Sequence, residues 1–416
     1  MPKRPSRCPT PRWPNPDPTQ EARHAGCGAC GTIGGVPERV LTAAELNRAT
    51  LARQMLLKRH RLDPVEAIER LVGLQAQEPP SPYLALWTRL SGFKASALDE
   101  AFHERRAVKG TLMRATLHAV SARDFVRFWP AVMPSLRTWR QQVLRRQTLQ
   151  VSLDELAEMA LEFASEPRTG PELRAHLPPL DGTGPPTPQD AFWAVRPQVP
   201  FVMAPADVPW SFGRRPRFVA ARAWLEEPMV SEEDGLDHLV RRYLAAFGPA
   251  TLGDLSQFTR IERSRLKPAL ERLAGELVTY RDERKRVLYD LPDSPLPSPD
   301  TPAPVRFLPM WDSMLLAYED RSRVIPEPYR RRVIQPNGDF LPSFLVDGHV
   351  AGLWRSRVAE GRTTISWEPF EPLAPGVDDQ LAEEADRLAR FVEPLEPAVY
   401  KRYATTWMKG RPAAAR

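Results

Sequence analysis

The sequence predicts an α+β fold built from repeated units. Three observations predict it. Helix starts followed by a pair of short extended runs recur along the chain, tight-turn dipeptides punctuate the last third, and a composition of 42% hydrophobic and 26% charged residues is that of an ordinary globular protein. At 416 residues the length suggests two to four domains, taking ~150 residues per domain. A chain of this size buries enough surface to fold without a disulfide or metal staple. No apolar run approaches the ~18 residues of a membrane span, and the Pro- and Arg-rich start lacks the apolar stretch of a signal peptide. Three cysteines are too few for a disulfide framework and suit a reducing compartment. The expectation is a cytoplasmic protein with no membrane partner.

In order along the chain, residues 1–40 read as a disordered tail, because prolines recur and apolar periodicity is absent. The tail holds Cys8, Cys27 and Cys30. Cys27-Gly28-Ala29-Cys30 with His24 falls short of the four matched ligands of structural zinc, so no metal and no cofactor is expected. A first unit spans 41–150. Thr42-Ala43-Ala44-Glu45 is a capping box, and Asp63-Pro64-Val65-Glu66 pairs an Asp cap with proline at the first turn. Pro79-Pro80 is expected to end the second helix, and Ser96-Ala97-Leu98-Asp99 to open another. Extended runs at about 107–113 and 116–120 meet at Arg114-Ala115. Helices followed by a two-stranded ribbon make a winged helix.

The pattern returns at 151–230, with starts at Ser152-Leu153-Asp154-Glu155 and Thr169-Gly170-Pro171-Glu172 and an extended run over 218–224. It returns again at 231–295. There Leu236, Leu239, Val240, Tyr243, Leu244 and Phe247 form an apolar stripe, Gly248-Pro249 breaks it, and a helix near 265–275 is expected to start at Lys267 because of Pro268. A ribbon over 277–281 and 286–290 closes this third unit. After a Pro/Ser/Asp linker at 291–304, Asn337-Gly338, Asp347-Gly348 and Gly361 signal hairpins. The last segment, 305–416, is therefore expected to be a small β-barrel, or a sandwich, with a helix near 377–392.

Net charge is +6, and only 8 of the 58 basic residues are lysine. Excess positive charge attracts phosphate polyanions. No clustered Asp/Glu/His set of two-metal character appears, which argues against a nuclease.

Gly73-Leu74-Gln75-Ala76-Gln77-Glu78-Pro79 followed by Arg114-Ala115-Thr116-Leu117-His118 resembles the AlkZ-like family of winged-helix DNA glycosylases. So do Phe247-Gly248-Pro249-Ala250-Thr251, Leu308-Pro309-Met310-Trp311-Asp312 and Asp347-Gly348-His349-Val350-Ala351-Gly352-Leu353-Trp354, in the family's order over about residues 41–370. The resemblance implies three tandem winged helices and a C-terminal β-barrel around duplex DNA. It also implies N-glycosidic cleavage of alkylated purines, including unhooking of interstrand crosslinks. The family's signature of Gln, an apolar residue, then Gln or Asp reads here Gln75-Ala76-Gln77, and these two glutamines are the catalytic candidates.

An extended segment points Gln75 and Gln77 to one face and Ala76 to the other. A carboxamide does not titrate usefully, but it accepts through its carbonyl and donates through its NH2. Two of them can orient a water and stabilise oxocarbenium-like charge. N7-alkylation makes the purine cationic, so it leaves neutral and needs little protonation. Lys109, Arg114, His118, Arg214, Arg215, Arg281, Arg284, Lys285 and Arg286, on wings and turns, are candidate contacts to DNA. The alternative is a non-enzymatic winged-helix regulator. Such proteins carry one module and read bases as dimers, whereas three copies favour a monomer wrapped on nucleoid DNA.

Overall fold

The computed structural model describes residues 39–144, 151–178, 191–213 and 215–401. The tail with its CxxC, and Arg214, lie outside the described residues. Among the described residues thirteen strands run in chain order as β1 (Val40–Leu41), β2 (Leu74–Gln75), β3 (Ala107–Thr111), β4 (Leu117–Ser121), β5 (Arg168–Thr169), β6 (Phe201–Ala204), β7 (Arg217–Ala220), β8 (Val278–Asp282), β9 (Val287–Asp290), β10 (Arg306–Leu308), β11 (Ser343–Val346), β12 (His349–Ala359) and β13 (Arg362–Pro369). They form three open sheets, ordered β1-β8-β9, β10-β11-β12-β13 and β2-β4-β3-β6-β7-β5. The class is α+β, as the sequence predicts.

Local chemistry sets most helix starts. The reciprocal caps at Thr42–Glu45, Ser152–Glu155 and Thr169–Glu172 all form, and Asp63 accepts from the Val65 amide ahead of the helix Pro64–Arg70. The apolar stripe becomes the helix Glu232–Phe247, and the C-terminal helix is Val377–Val392. Glu232–Phe247 lies against Ala122–Leu144 so closely that a Cβ on Gly235 would sit 2.5 Å from the Arg127 carbonyl oxygen.

Several expectations are corrected. Pro79-Pro80 opens the helix Pro80–Arg89 instead of closing one, since a proline lacking its N–H is tolerated in a first turn. Ser96 is not a cap: that helix is Ala95–His103, preceded by Lys94. The helix expected from Lys267 runs Arg263–Arg272 with Pro268 inside it. Of the run at 218–224 only 218–220 is strand, within β7, and Ala221–Trp224 is a helical turn. Asp347-Gly348 and Glu360-Gly361 do turn β11 into β12 and β12 into β13, with positive φ at all four residues. Asn337-Gly338 closes only an isolated bridge between Ile334 and Phe340. The four strands of the C-terminal segment make an antiparallel meander whose end strands do not pair, so the barrel does not close.

The ribbons of the first two units are also not separate wings. Lys109 and Gly110 of β3 pair with Met203 and Val202 of β6, which joins both ribbons into the six-stranded sheet. Apolar clusters cover both faces of that sheet, one containing Leu74, Ala76, Ala119 and Met203, the other Val72, Val108, Val120 and Val202. In the third unit, β1 from the start of the described chain adds in parallel to β8.

Buried ion pairs tie the units together. Arg53 binds Asp290 through two bonds of 2.6 and 2.8 Å. Arg89 clamps Asp312 at 2.8 and 2.7 Å while its Nε donates to the Gln54 carbonyl oxygen, and both side chains of that pair are 0% exposed. Asp312 also accepts from the Met314 amide at a helix start. The Trp311-Asp312 motif is thus a docking point between the first unit and the C-terminal segment. Removing one partner of such a pair leaves an uncompensated buried charge. Asp312→Ala is expected to lose about 3–5 kcal/mol of stability, and the double replacement Arg89→Met with Asp312→Leu considerably less, as read by urea denaturation.

Candidate active site

The approach to Gln75 is conformationally unusual. Val72 has φ 58° and Gly73 φ 81°. A Cβ on Gly73 would lie 2.6 Å from a Val120 methyl carbon, so glycine is required there. A β-branched residue at positive φ is strained, by about 1–3 kcal/mol. On the other side of the site, Arg114 and Ala115 both have left-handed backbone, at φ 57° and 56°. Two strained corners therefore flank the short β2–β4 pairing, one at each end.

That pairing sets the register. Gln75 lies opposite His118, which lies opposite Gly110, while Leu74, Ala119, Lys109 and Met203 form the adjacent row. Cross-strand partners share a face. Gln75 and His118 therefore project from one face of the sheet and Lys109 from the other.

Arg114 organises the first face. Its Nη2 donates to Gln75 Oε1 at 2.9 Å and to His118 Nε2 at 3.2 Å, and its Nη1 donates to the Phe258 carbonyl oxygen at 2.6 Å. The guanidinium carbon lies 4.9 Å from the Phe258 ring centroid. An arginine only donates, so His118 Nε2 is the acceptor. Nδ1 then carries the hydrogen and donates to the Thr116 carbonyl oxygen at 3.0 Å. Burial and the neighbouring Arg114 push His118 down from 6.5 to about 3, against the opposing pull of its bond to Thr116. It is neutral at physiological pH.

Gln77 is held differently. The Ala76 amide donates to the Leu117 carbonyl oxygen at 2.7 Å, and Gln77 Oε1 accepts from the Leu117 amide at 2.9 Å. A side-chain carbonyl thus replaces a strand carbonyl at the end of the ladder. Ala76 is fully buried among Leu74 and its neighbours. Gln77 is half-buried, but Gln75 is only 5% exposed, deeper than a residue open to a duplex. Among the described residues neither amide nitrogen has a hydrogen-bond partner, and both keep contact with solvent.

The other candidates sit elsewhere. Lys109, 4% exposed, packs under the Phe212 ring at 4.7 Å, and burial pushes it down from 10.5 to about 7. It offers no surface to a phosphate. Arg215 is exposed before β7. At the β8–β9 turn, Arg281 donates to the Lys285 carbonyl oxygen, Arg284 pairs with Asp320 at 2.7 Å and Arg286 with Asp282 at 2.7 Å, leaving Lys285 exposed at the tip. Sequence reasoning missed Phe258, which reaches Arg114 from the third unit. No local signal marks it.

Two pH dependences follow. Between about pH 3 and 6.5 the unfolded chain carries a proton on the His118 ring that the folded chain does not, so stability falls as pH falls through that window; the slope is up to about 1.4 kcal/mol per pH unit. His118→Gln should flatten it in urea denaturation series. Between about pH 7 and 10.5 the unfolded chain likewise holds an extra proton on Lys109, so stability rises with pH there. Lys109→Met should be more stable than the parent at neutral pH and should lose that rise.

The family model "DNA glycosylase AlkZ-like" matches residues 68–391. The comparison with curated proteins gives no match. Among solved structures, the Streptomyces sahachiroi DNA glycosylase AlkZ is similar, with a TM-score of 0.68 and 16% identity over 85% of this chain and 97% of that one. At that identity the likeness is one of fold. No helix among the described residues is long and apolar enough to cross a membrane. With a family match that spans both pinned glutamines and the arginine that joins Gln75 to the third unit, the chain belongs to the AlkZ-like DNA glycosylase family and is a DNA glycosylase.

Proposed function

We propose that this glycosylase releases N7-alkylated purines, single or as one arm of an N7-linked interstrand crosslink, from double-stranded DNA, with a water oriented by Gln75 and Gln77. The observation that carries the reading is that both carboxamides are pinned by their carbonyl oxygens, one by Arg114 and one by the Leu117 amide. Each keeps its NH2 group and one carbonyl lone pair for a guest. Because the pinned groups cannot swing, their dipoles are aimed before the substrate arrives, which is where electrostatic catalysis draws its strength. Gln77, the more open of the two, meets the water and sugar, and Gln75 presents its amide edge behind it.

In the reaction, the bond from C1′ to the purine nitrogen breaks and its electron pair moves onto the base. The base leaves neutral because alkylation had made it cationic. The water oxygen adds to the oxocarbenium carbon and its proton passes to solvent, leaving an abasic site. Neutral His118 supplies no acid at physiological pH, and this leaving group requires none. Neither glutamine carries an amine for a Schiff base, and Lys109 projects from the opposite face of the sheet. The enzyme is therefore monofunctional and does not cut the strand.

The helix-plus-ribbon blocks at 41–150 and 151–230, with their ribbons merged through β3 and β6, and the block at 231–295 act as winged-helix-like modules of one monomer on nucleoid DNA in the cytoplasm. Their arginines and the Lys285 tip supply the backbone contacts. Replacing both Gln75 and Gln77 by alanine is expected to lower release of N7-methylguanine from a duplex by at least ~10²-fold, the scale of one lost oriented donor, while duplex binding is retained. Unchanged release would remove these residues from the mechanism. A footprint on one undamaged sequence, with no abasic sites from alkylated DNA, would favour the regulator.

A further inference from the structure

The two carboxamides of this face differ in depth. Gln75 is only 5% exposed, and its Oε1 already accepts from Arg114 Nη2 at 2.9 Å. Its Nε2 keeps two hydrogens, contact with solvent and no acceptor among the described residues. A donor this deep is ordinarily paired, because desolvating it without a partner is unfavourable. Its neighbours obey that rule: the His118 ring, the Arg114 guanidinium and the Gln77 carbonyl all have partners. Gln77 is half-buried, so its own amide nitrogen lies where water can satisfy it.

The bonds behind Gln75 fix what it offers. Arginine has no acceptor, so the amide oxygen is the atom that faces Arg114. The amide therefore cannot flip to turn its oxygen outward. His118 Nδ1 donates to the Thr116 carbonyl oxygen at 3.0 Å, and His118 Nε2 accepts from the same Arg114 Nη2 at 3.2 Å, which holds the guanidinium in place. A cationic donor on the amide oxygen draws density from the amide nitrogen and strengthens its N–H dipoles. The free edge of Gln75 thus requires an acceptor from the substrate.

Resting on the reading of this face as the place of base release, we propose that Gln75 donates through Nε2 to ring nitrogen N3 of the departing purine. In an N7-alkylated purine the alkyl group occupies the N7 lone pair. N3 remains an acceptor on the minor-groove edge, and only N9 and C4 separate it from the C1′ carbon that Gln77 serves. O6 lies on the far edge of the ring and is absent from adenine. As the bond from C1′ to N9 breaks, its electron pair enters the ring and the density at N3 rises. The hydrogen bond then strengthens toward the transition state, which is the condition for it to raise the rate. No proton is transferred, and the remaining carbonyl lone pair of Gln75 is left for the water. Gln75 reads the base, while Gln77 attends the sugar.

The test uses the full chain and two duplexes, one with 7-methylguanine and one with 7-methyl-3-deazaguanine, in which a C–H replaces N3. Single-turnover release is divided by spontaneous release from the same duplex. The parent is expected to be about tenfold slower on the deaza base, the scale of one hydrogen bond from a buried donor. Gln75→Glu keeps an oxygen for Arg114 but has no NH2 group, and Gln75→Met has neither. Both should be slow on either base, with the gap between bases reduced to less than about twofold. Each gap is measured within one protein, so partial unfolding lowers both rates alike and leaves the ratio intact. An indifferent parent, or a gap that persists in both Gln75 variants, would overturn the proposal. Where those variants are too slow to time, Gln77→Asn decides: a retained gap supports Gln75 as the donor, and a lost gap assigns the contact to Gln77 and sinks the idea. Failure of the glycosylase reading appears separately, as a parent that releases no 7-methylguanine.

Discussion

Arg114 is the residue on which the proposed reaction face depends. Its guanidinium joins β2 through Gln75, β4 through His118 and the third unit through the Phe258 carbonyl. Without it, one glutamine loses its anchor, a buried imidazole loses its donor and a helix-end carbonyl is left unsatisfied. The strained corners at Val72 and Arg114 persist because these bonds and the surrounding packing over-determine them. The tautomer of His118 and the orientation of the Gln75 amide are therefore consequences of one charge held in one place.

Much of the scaffold was legible because it is written locally. The capping boxes at Thr42, Ser152 and Thr169, the stripe ending at Phe247 and the turn at Asp347-Gly348 are short-range signals, and each formed. The alternation of Gln75, Ala76 and Gln77 was equally local, although the depth of Gln75 was not, since burial is decided by what packs above a strand. Pro79-Pro80 was misread because the same residue that stops a helix also starts one, and flanking sequence alone does not choose. The part of Phe258 was invisible for a different reason. It lies in no motif, and its carbonyl acquires meaning only where a distant segment of the chain meets Arg114.

The two cationic sites near the shared sheet show how a strand sorts chemistry by parity. Arg114 and Lys109 belong to one hairpin, yet they lie on opposite sides of the sheet. Arg114 stays charged, held by three acceptors; Lys109, under Phe212 with no carboxylate, is close to losing its proton. A one-residue slip of β3 would turn Lys109 to the face that His118 and Gln75 occupy.

The pairing of β3 with β6 makes a single plate of what would otherwise be two wings. Six hydrogen-bonded strands with apolar layers on both faces resist bending, so the shared sheet fixes the ribbons of the first two units against each other. The third unit and the C-terminal segment are tied to the first unit where Arg114 reaches Phe258 and Arg89 reaches Asp312. Any loosening of this seam would slacken the hold on Gln75, so the amide's orientation is hostage to how well distant parts of the chain stay docked.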